Sequence, residues 1–471
     1  MVFSSHLFVY YFLPATLLVY YALPRRGRHL WLTLASYLFY GWANPAFMGL
    51  MFVSTAIDFV CGGKIGSLPV EAAAPRRAWL IASIVTNLSL LGFFKYFNFA
   101  LDTWNGVLAA LGLSHLQPDL VLRVALPLGI SFYTFQSMSY SLDIYRGRAR
   151  PLSSVIDFAL YVSLFPQLVA GPIIRFSELA DQLKDRTHTL EKFSRGASFF
   201  SLGMAKKILL ANPCGFAADA AFNAGSVDVL DAWIGALAYA FQIYFDFSGY
   251  SDMAIGLGLM FGFVFPKNFN SPYLAESITD FWRRWHISLS TWLRDYLYLP
   301  LGGNRKGPWR TYVNLAVVML LGGLWHGAAW NFVVWGGIHG VWLAIERALG
   351  KRSLYGALPR PARVTLTFLG VLIAWVFFRA PDLPAAGRYL ASMFGFAEAQ
   401  PAAALLGSIL HAPYSLGSLA MAALVVWGAP QTWDWTRRLT APKAGMALAL
   451  LILALIAMGS QGFNPFIYFN F

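Results

Sequence analysis

The sequence predicts an all-α integral membrane protein, a multi-span helical bundle of about 10–12 crossings with further re-entrant or interfacial helices. Three observations carry that prediction. The 471 residues are 58% hydrophobic and only 12% charged, against roughly a quarter charged in soluble domains. Apolar runs recur from end to end, several near the ~20 residues needed to cross a bilayer. No soluble domain of ordinary size fits between them, and no repeat or low-complexity linker marks a boundary, so the expectation is a single domain over 1–471.

In chain order the runs fall near 6–23, 29–42, 46–61, 78–97, 120–141, 154–170, 196–214, 230–247, 250–265, 311–325, 329–346, 363–379, 404–427 and 444–460. The first follows Met1-Val-Phe-Ser-Ser5 without a positive n-region, and its basic cluster, Arg25-Arg26-Gly27-Arg28, comes after it. That pattern predicts a retained first span with the N-terminus outside and the arginines in the cytoplasm. The net charge of +13 resides mostly in short connections such as Arg76-Arg77, Arg146 to Arg150, Arg305-Lys306, Lys351-Arg352 and Arg437-Arg438. Topology bias and anionic lipid account for such clusters, so the bilayer is the expected partner and nucleic acid is not.

Four places interrupt the apolar pattern. Phe165-Pro-Gln-Leu-Val-Ala-Gly-Pro172 puts two prolines and a glycine at the end of a run and predicts a re-entrant turn. Ser177 to Arg195, the most polar stretch, reads as an exposed or interfacial helix on the cytoplasmic side. Asp246 and Asp252 sit where the 230–247 and 250–265 runs meet, which predicts a break between two helices there. Thr279 to Leu299 mixes Trp282, Trp285, Trp292, Tyr296 and Tyr298 with Arg283, Arg284 and Arg294, and predicts a helix at the interface or lining a cavity. On such a helix His286 and Ser290 share one face.

The residues with chemical potential are two Trp-His pairs inside apolar surroundings, Trp285-His286 and Trp325-His326. An ionisable group at membrane depth is costly and faces a polar cavity or the protein interior. Around His326, small residues at Gly323 and Gly327 allow helices to approach closely. His339 follows thirteen residues later, and on a continuous helix it would point roughly opposite to His326. A buried neutral imidazole can take a proton from a hydroxyl as the oxygen attacks an acyl carbon; a second can orient the first or donate to the developing oxyanion. The bland alternative is a histidine bonded to a backbone carbonyl at a helix interface. Asp246, Ser290 and Trp325 are the candidate substrate-lining residues.

Other chemistries lack their signatures. Phe247-Ser-Gly-Tyr-Ser-Asp252 is not a Gly-x-Ser-x-Gly elbow, and Gly256-Leu-Gly258 lacks the strand–turn–helix context of a nucleotide loop. Neither His286 nor His326 has a second metal ligand at i+3 or i+4, so no metal is expected. Cys61 and Cys214 read as packing residues.

Longer motifs add to this. Tyr244-Phe-Asp-Phe-Ser-Gly-Tyr-Ser-Asp-Met-Ala-Ile-Gly256, Pro266-Lys-Asn-Phe-Asn-Ser-Pro-Tyr273, Phe281 to Tyr296, Gly302-Gly-Asn-Arg305 and Leu324-Trp-His-Gly327 resemble the membrane-bound O-acyltransferase family, most closely its bacterial alginate O-acetylase branch. Ser36 to Gly41, Tyr140 to Arg146, Phe165 to Pro172 and the closing Asn464 to Phe471 fit the same branch. The resemblance implies helices arranged around a central funnel. His326 stands at the family's catalytic position and His286 at its partner position. It implies acetyl transfer from the cytoplasm, with acetyl-CoA as donor substrate and no bound cofactor, toward an extracytoplasmic polysaccharide. It further implies a periplasmic acetyltransferase as partner and a bacterial inner-membrane location. Arg283, Arg284 and Arg294 are then the candidate contacts for the donor's phosphates, because guanidinium pairs bidentately with phosphate; interfacial anchoring is their other reading. D-alanyl transfer to teichoic acid and a transporter or a scaffold without catalysis are the alternatives.

Overall fold

The computed structural model describes residues 1–42, 44–118, 123–350, 356–400, 405–462 and 464. The Lys351-Arg352 pair, the first residues of the 120–141 run and the closing motif from 465 onward lie outside them. Among the described residues every regular element is helical. The chain divides into two compact units, Met1–Thr187 and His188–Phe471.

The first unit contains α1 (Leu13–Ala22), α2 (Arg25–Gly41), α3 (Ala46–Ser67), α4 (Ala73–Ala110), α5 (Ile130–Tyr145), α6 (Val155–Ser163), the single turn α7 (Phe165–Leu168) and α8 (Phe176–Lys184). By length and composition α3 and α4 can each cross a bilayer. They are joined to α5 by a carboxylate. Asp58, on α3 and fully buried, accepts from Ser83 Oγ at 2.5 Å and Asn87 Nδ2 at 2.7 Å on α4, and from Ser137 Oγ on α5. Such donors replace the water that a buried carboxyl group loses. The Phe165–Pro172 interruption ends α6 and continues as the one-turn α7, so the backbone breaks where the prolines predict.

The second unit contains α9 (Leu190–Ala205), a π-helical turn (Lys206–Ala211), α10 (Asn212–Asn223), α11 (Val229–Met260), α12 (Ile278–Arg284), α13 (Ile287–Leu293), α14 (Gly307–His326), α15 (Trp330–Leu349), α16 (Arg360–Arg379), α17 (Leu383–Met393), α18 (Leu406–Leu410), α19 (Pro413–Gly428), α20 (Thr432–Trp435) and α21 (Ala441–Ser460). Of these, α16 and α21 are long and apolar enough to span on the same criterion. The expected break at Asp246–Asp252 does not exist, because α11 runs unbroken for 32 residues. Its two carboxylates are neutralised in place. Lys207 Nζ lies 2.6 Å from Asp246, and Lys206 Nζ lies 2.7 Å from Asp252. The glycines in the same stretch set a crossing rather than a bend: a Cβ at Gly249 would meet Gly203 O at 2.8 Å, and one at Gly256 would meet Gly196 O at 2.5 Å.

Two other expectations are revised. The stretch from Thr279 to Leu299 is not one helix but α12, a break at Trp285–His286, α13 and a π-helical turn. And α14 ends at His326, so no continuous helix separates that residue from His339. The chain turns back through Gly327–Ala329 because α14 and α15 touch backbone to backbone. A Cβ on Gly323 would lie 2.3 Å from Phe332 O, one on Gly336 2.3 Å from Met319 O, and one on Gly327 2.1 Å from the Phe332 ring. Replacing Gly323 by leucine must part the hairpin, and overpacking of this kind costs about 1–3 kcal/mol or more. A lower melting temperature for the purified Gly323→Leu protein in detergent, with less protein in the membrane, is the expected result.

Candidate functional site

The site lies in the second unit, where the α12–α13 break meets the end of α14. Ser277 Oγ caps α12 by accepting from Asp280 N at 3.1 Å, and Arg284 Nε returns to Asp280 at 2.8 Å. Glu346, on α15, accepts from Ile278 N at 2.7 Å and Thr279 N at 3.0 Å. A carboxylate there satisfies N–H groups that the helix leaves unpaired and complements its dipole. Together these contacts fix where α12 starts, and the helix ends seven residues later at Arg284.

At the stop, Trp285 turns into an aromatic core, with ring centroids 5.0 Å from Trp375, 5.1 Å from Phe269 and 5.6 Å from Phe281. His286 then takes the left-handed conformation, φ 44° and ψ 54°. A non-glycine residue held there costs about 1–3 kcal/mol and persists only where its surroundings impose it. The surroundings are Asn268, in the loop after α11. Its carbonyl accepts from Ile287 N at 2.9 Å, and its side-chain Oδ1 accepts from Ser288 N at 3.1 Å and Ser288 Oγ at 2.9 Å. Oδ1 also lies 3.3 Å from His286 Nδ1, and Nδ2 donates to Ser251 Oγ at 2.7 Å. The neighbouring Asn270 N donates to Arg284 O at 2.9 Å, completing the clasp.

The clasp presents the fully buried His286 ring to His326. Their centroids are 6.4 Å apart and their planes inclined at 62°. Trp325 flanks both, 6.0 Å from His286 and 5.0 Å from His326. Phe247 lies edge-on to His286 at 4.6 Å, while Trp335 and Phe378 wall His326 at 5.3 and 5.2 Å. His286 lies in the break, outside the spanning helices, and there burial, followed by the neighbouring His326, pushes its pKa well below the ordinary imidazole value. His339 belongs to the same cluster rather than to an opposite face. It is fully buried against Trp335 at 4.9 Å and Trp282 at 5.3 Å.

The remaining candidates are dispersed. Trp325 is at the pair; Ser290 Oγ instead donates to Trp285 O at 3.3 Å. Since the chain breaks at His286, the shared helical face expected for His286 and Ser290 does not form. Asp246 is bound to Lys207. Arg284 pairs with Asp280, Arg294 pairs with Asp295 at 2.7 Å, and Arg283 is exposed. Sequence reasoning assigned no role to Asn268, Ser251, Ser288, Trp335 or Phe378. Asn268 did stand in the Pro266–Tyr273 motif, between Lys267 and Phe269, and that placement was the available signal.

Two buried imidazoles with inclined rings, in an aromatic enclosure that excludes water, can move a proton to or from one oxygen held between them. Residues 145–378 match the model of MBOAT, the membrane-bound O-acyltransferase family. The "Probable alginate O-acetylase" of Azotobacter vinelandii is 44% identical over the full length of both chains. This chain belongs to the membrane-bound O-acyltransferase family. The protein of the same name from Pseudomonas aeruginosa is 48% identical, covering 94% of this chain and 84% of that one. The "Peptidoglycan O-acetyltransferase" of Helicobacter pylori is 40% identical over 84% of this chain and 80% of its own. The chain is therefore an O-acyltransferase embedded in a membrane, and the matched family segment contains both histidines of the pair.

The Lys207–Asp246 pair beside the site offers a test of what holds α11 straight. Removing one partner of a buried pair costs about 3–5 kcal/mol, whereas replacing both by apolar or neutral groups of similar size is often neutral. Lys207→Ala is expected to lower the melting temperature sharply, and the double variant Lys207→Met with Asp246→Asn to recover most of it.

Proposed function

We propose that this protein transfers acetyl groups from a cytoplasmic acetyl thioester, of the acetyl-CoA class, toward an extracytoplasmic polysaccharide such as alginate. The observation that carries the reading is the spacing of the two buried rings, 6.4 Å between centroids. Imidazoles joined directly by a hydrogen bond of about 2.9 Å have centroids roughly 5 Å apart, so this pair is too open for a direct bond and suits one oxygen between them. That oxygen is the acceptor hydroxyl, or the hydroxyl of a relay group.

In this reading His326 takes the hydroxyl proton as the oxygen adds to the thioester carbonyl carbon. The tetrahedral intermediate collapses by breaking the carbon–sulfur bond, the thiolate takes up a proton, and the acetyl ester remains on oxygen. His286 orients the oxygen, and Trp325, Trp335 and Phe378 keep water from intercepting the thioester. Arg283, at the exposed end of α12, and Arg284 and Arg294 nearby are the proposed contacts for the donor's phosphates. Asp246 and Ser290 line the approach. The names of the relatives support a polysaccharide acceptor, and the chemistry supports a bacterial inner-membrane location, since the donor is cytoplasmic and the glycan is outside. A periplasmic acetyltransferase would complete delivery.

The test compares extracellular polysaccharide from cells carrying His326→Ala with wild type at equal membrane levels of the protein. Loss of acetylation by at least about a hundredfold is expected for removal of a general base; undiminished acetylation would remove His326 from its role. Acetyl-CoA cleavage by the purified protein, as opposed to flux without turnover, separates the enzyme from a transporter.

A further inference from the structure

Asn268 does more than hold a strained turn. Its amide orientation is fixed by chemistry, because Ser288 N is a donor that needs an acceptor, and it lies 3.1 Å from Oδ1. With the amide so placed, Nδ2 reaches Ser251 Oγ at 2.7 Å. The atom 3.3 Å from His286 Nδ1 is therefore a carbonyl oxygen, which can only accept. Ser288 Oγ, 3.4 Å from the same nitrogen, donates its own proton to Oδ1 at 2.9 Å and so offers Nδ1 a lone pair as well. Both neighbours require a proton on Nδ1.

We propose that Asn268 is a positioning residue that locks His286 in its Nδ1–H tautomer, leaving Nε2 as a hydrogen-bond acceptor at the edge of the ring away from the clasp. A neutral imidazole carries one proton. His286 therefore cannot donate to a developing oxyanion; it accepts a hydrogen bond from the attacking hydroxyl it orients, whose single proton then passes to His326 as the oxygen attacks. Of the two tasks open to a second histidine, orienting and oxyanion donation, only the first is available to it. The inference rests on the proposed acetyl transfer for its catalytic meaning, but the tautomer itself does not depend on that reading.

Two measurements test it on the full-length protein in lipid nanodiscs. Nitrogen-15 spectra of histidine-labelled protein, assigned by comparison with His286→Gln, should show the His286 proton on Nδ1; a proton on Nε2 would overturn the proposal whatever the activity. For function, acetyl-CoA cleavage is followed across pH. Asn268→Leu removes the acceptor, and kcat should fall by about ten- to a hundredfold, as for loss of a group orienting an active histidine, while KM for acetyl-CoA stays within about twofold. Asn268→Asp restores an acceptor but adds a charge that stabilises the imidazolium. Activity needs neutral His286, so a raised pKa should move the acid limb of the profile upward by about one unit or more. An unmoved acid limb in an active Asn268→Asp protein would contradict the proposal, as would full activity of Asn268→Leu. If Asn268→Leu does not fold, the wild-type spectrum and the Asn268→Asp profile still decide the matter. If the wild type cleaves no acetyl-CoA, the proposed function falls and the spectrum alone decides the tautomer.

Discussion

Everything at the site depends on the helix breaking at His286, in a backbone conformation that a side chain rarely adopts. The strain is of order 1–3 kcal/mol. Hydrogen bonds worth about 1 kcal/mol each net offset it, and Asn268 supplies one from its carbonyl and two from its side chain to the residues that follow the turn. The turn permits Trp285 to enter the aromatic core while His286 goes to the reaction space. On a continuous helix these consecutive residues would be separated by about 100° of rotation, with no freedom to choose their directions separately.

The second constraint is the cost of polarity away from water. Each polar group buried in this molecule that matters to the argument has a matched neighbour of its own: Asp58 has hydroxyl and amide donors, Asp246 and Asp252 have consecutive lysines from one π-helical turn, and the N-terminus of α12 has Glu346. The histidines are handled differently. Burial, followed by the neighbouring His326, holds His286 toward its neutral form, and aromatic edges border both rings of the pair. An enclosure that favours a neutral imidazole keeps a proton acceptor ready at ordinary pH.

Composition and the long apolar runs made the helical membrane architecture legible, and the Trp-His pairs and the motifs around them made the family legible. The residues flanking the reacting groups were less so, for physical reasons. The break at His286 is invisible to a periodicity argument because Ile287 to Leu293 continues a helical pattern; what interrupts it is Asn268, eighteen positions earlier. The predicted break at Asp246 failed for the converse reason. Carboxylates in an apolar run look like a helix end until their lysines, some forty residues away, are known. His339 was set opposite to His326 by assuming one helix through Gly327, whereas close contact of Gly323 and Gly336 makes a hairpin.

The central claim is that an acetyl thioester reacts with an oxygen held between His286 and His326. An electron cryomicroscopy structure of the protein with a non-cleavable acetyl-CoA analogue, its sulfur replaced by methylene, tests this most directly. The account predicts the acetyl carbonyl at the two imidazoles, within about 4 Å of an oxygen site between them, as a near-attack geometry requires. An ordered analogue whose acetyl group rests away from both rings would contradict it.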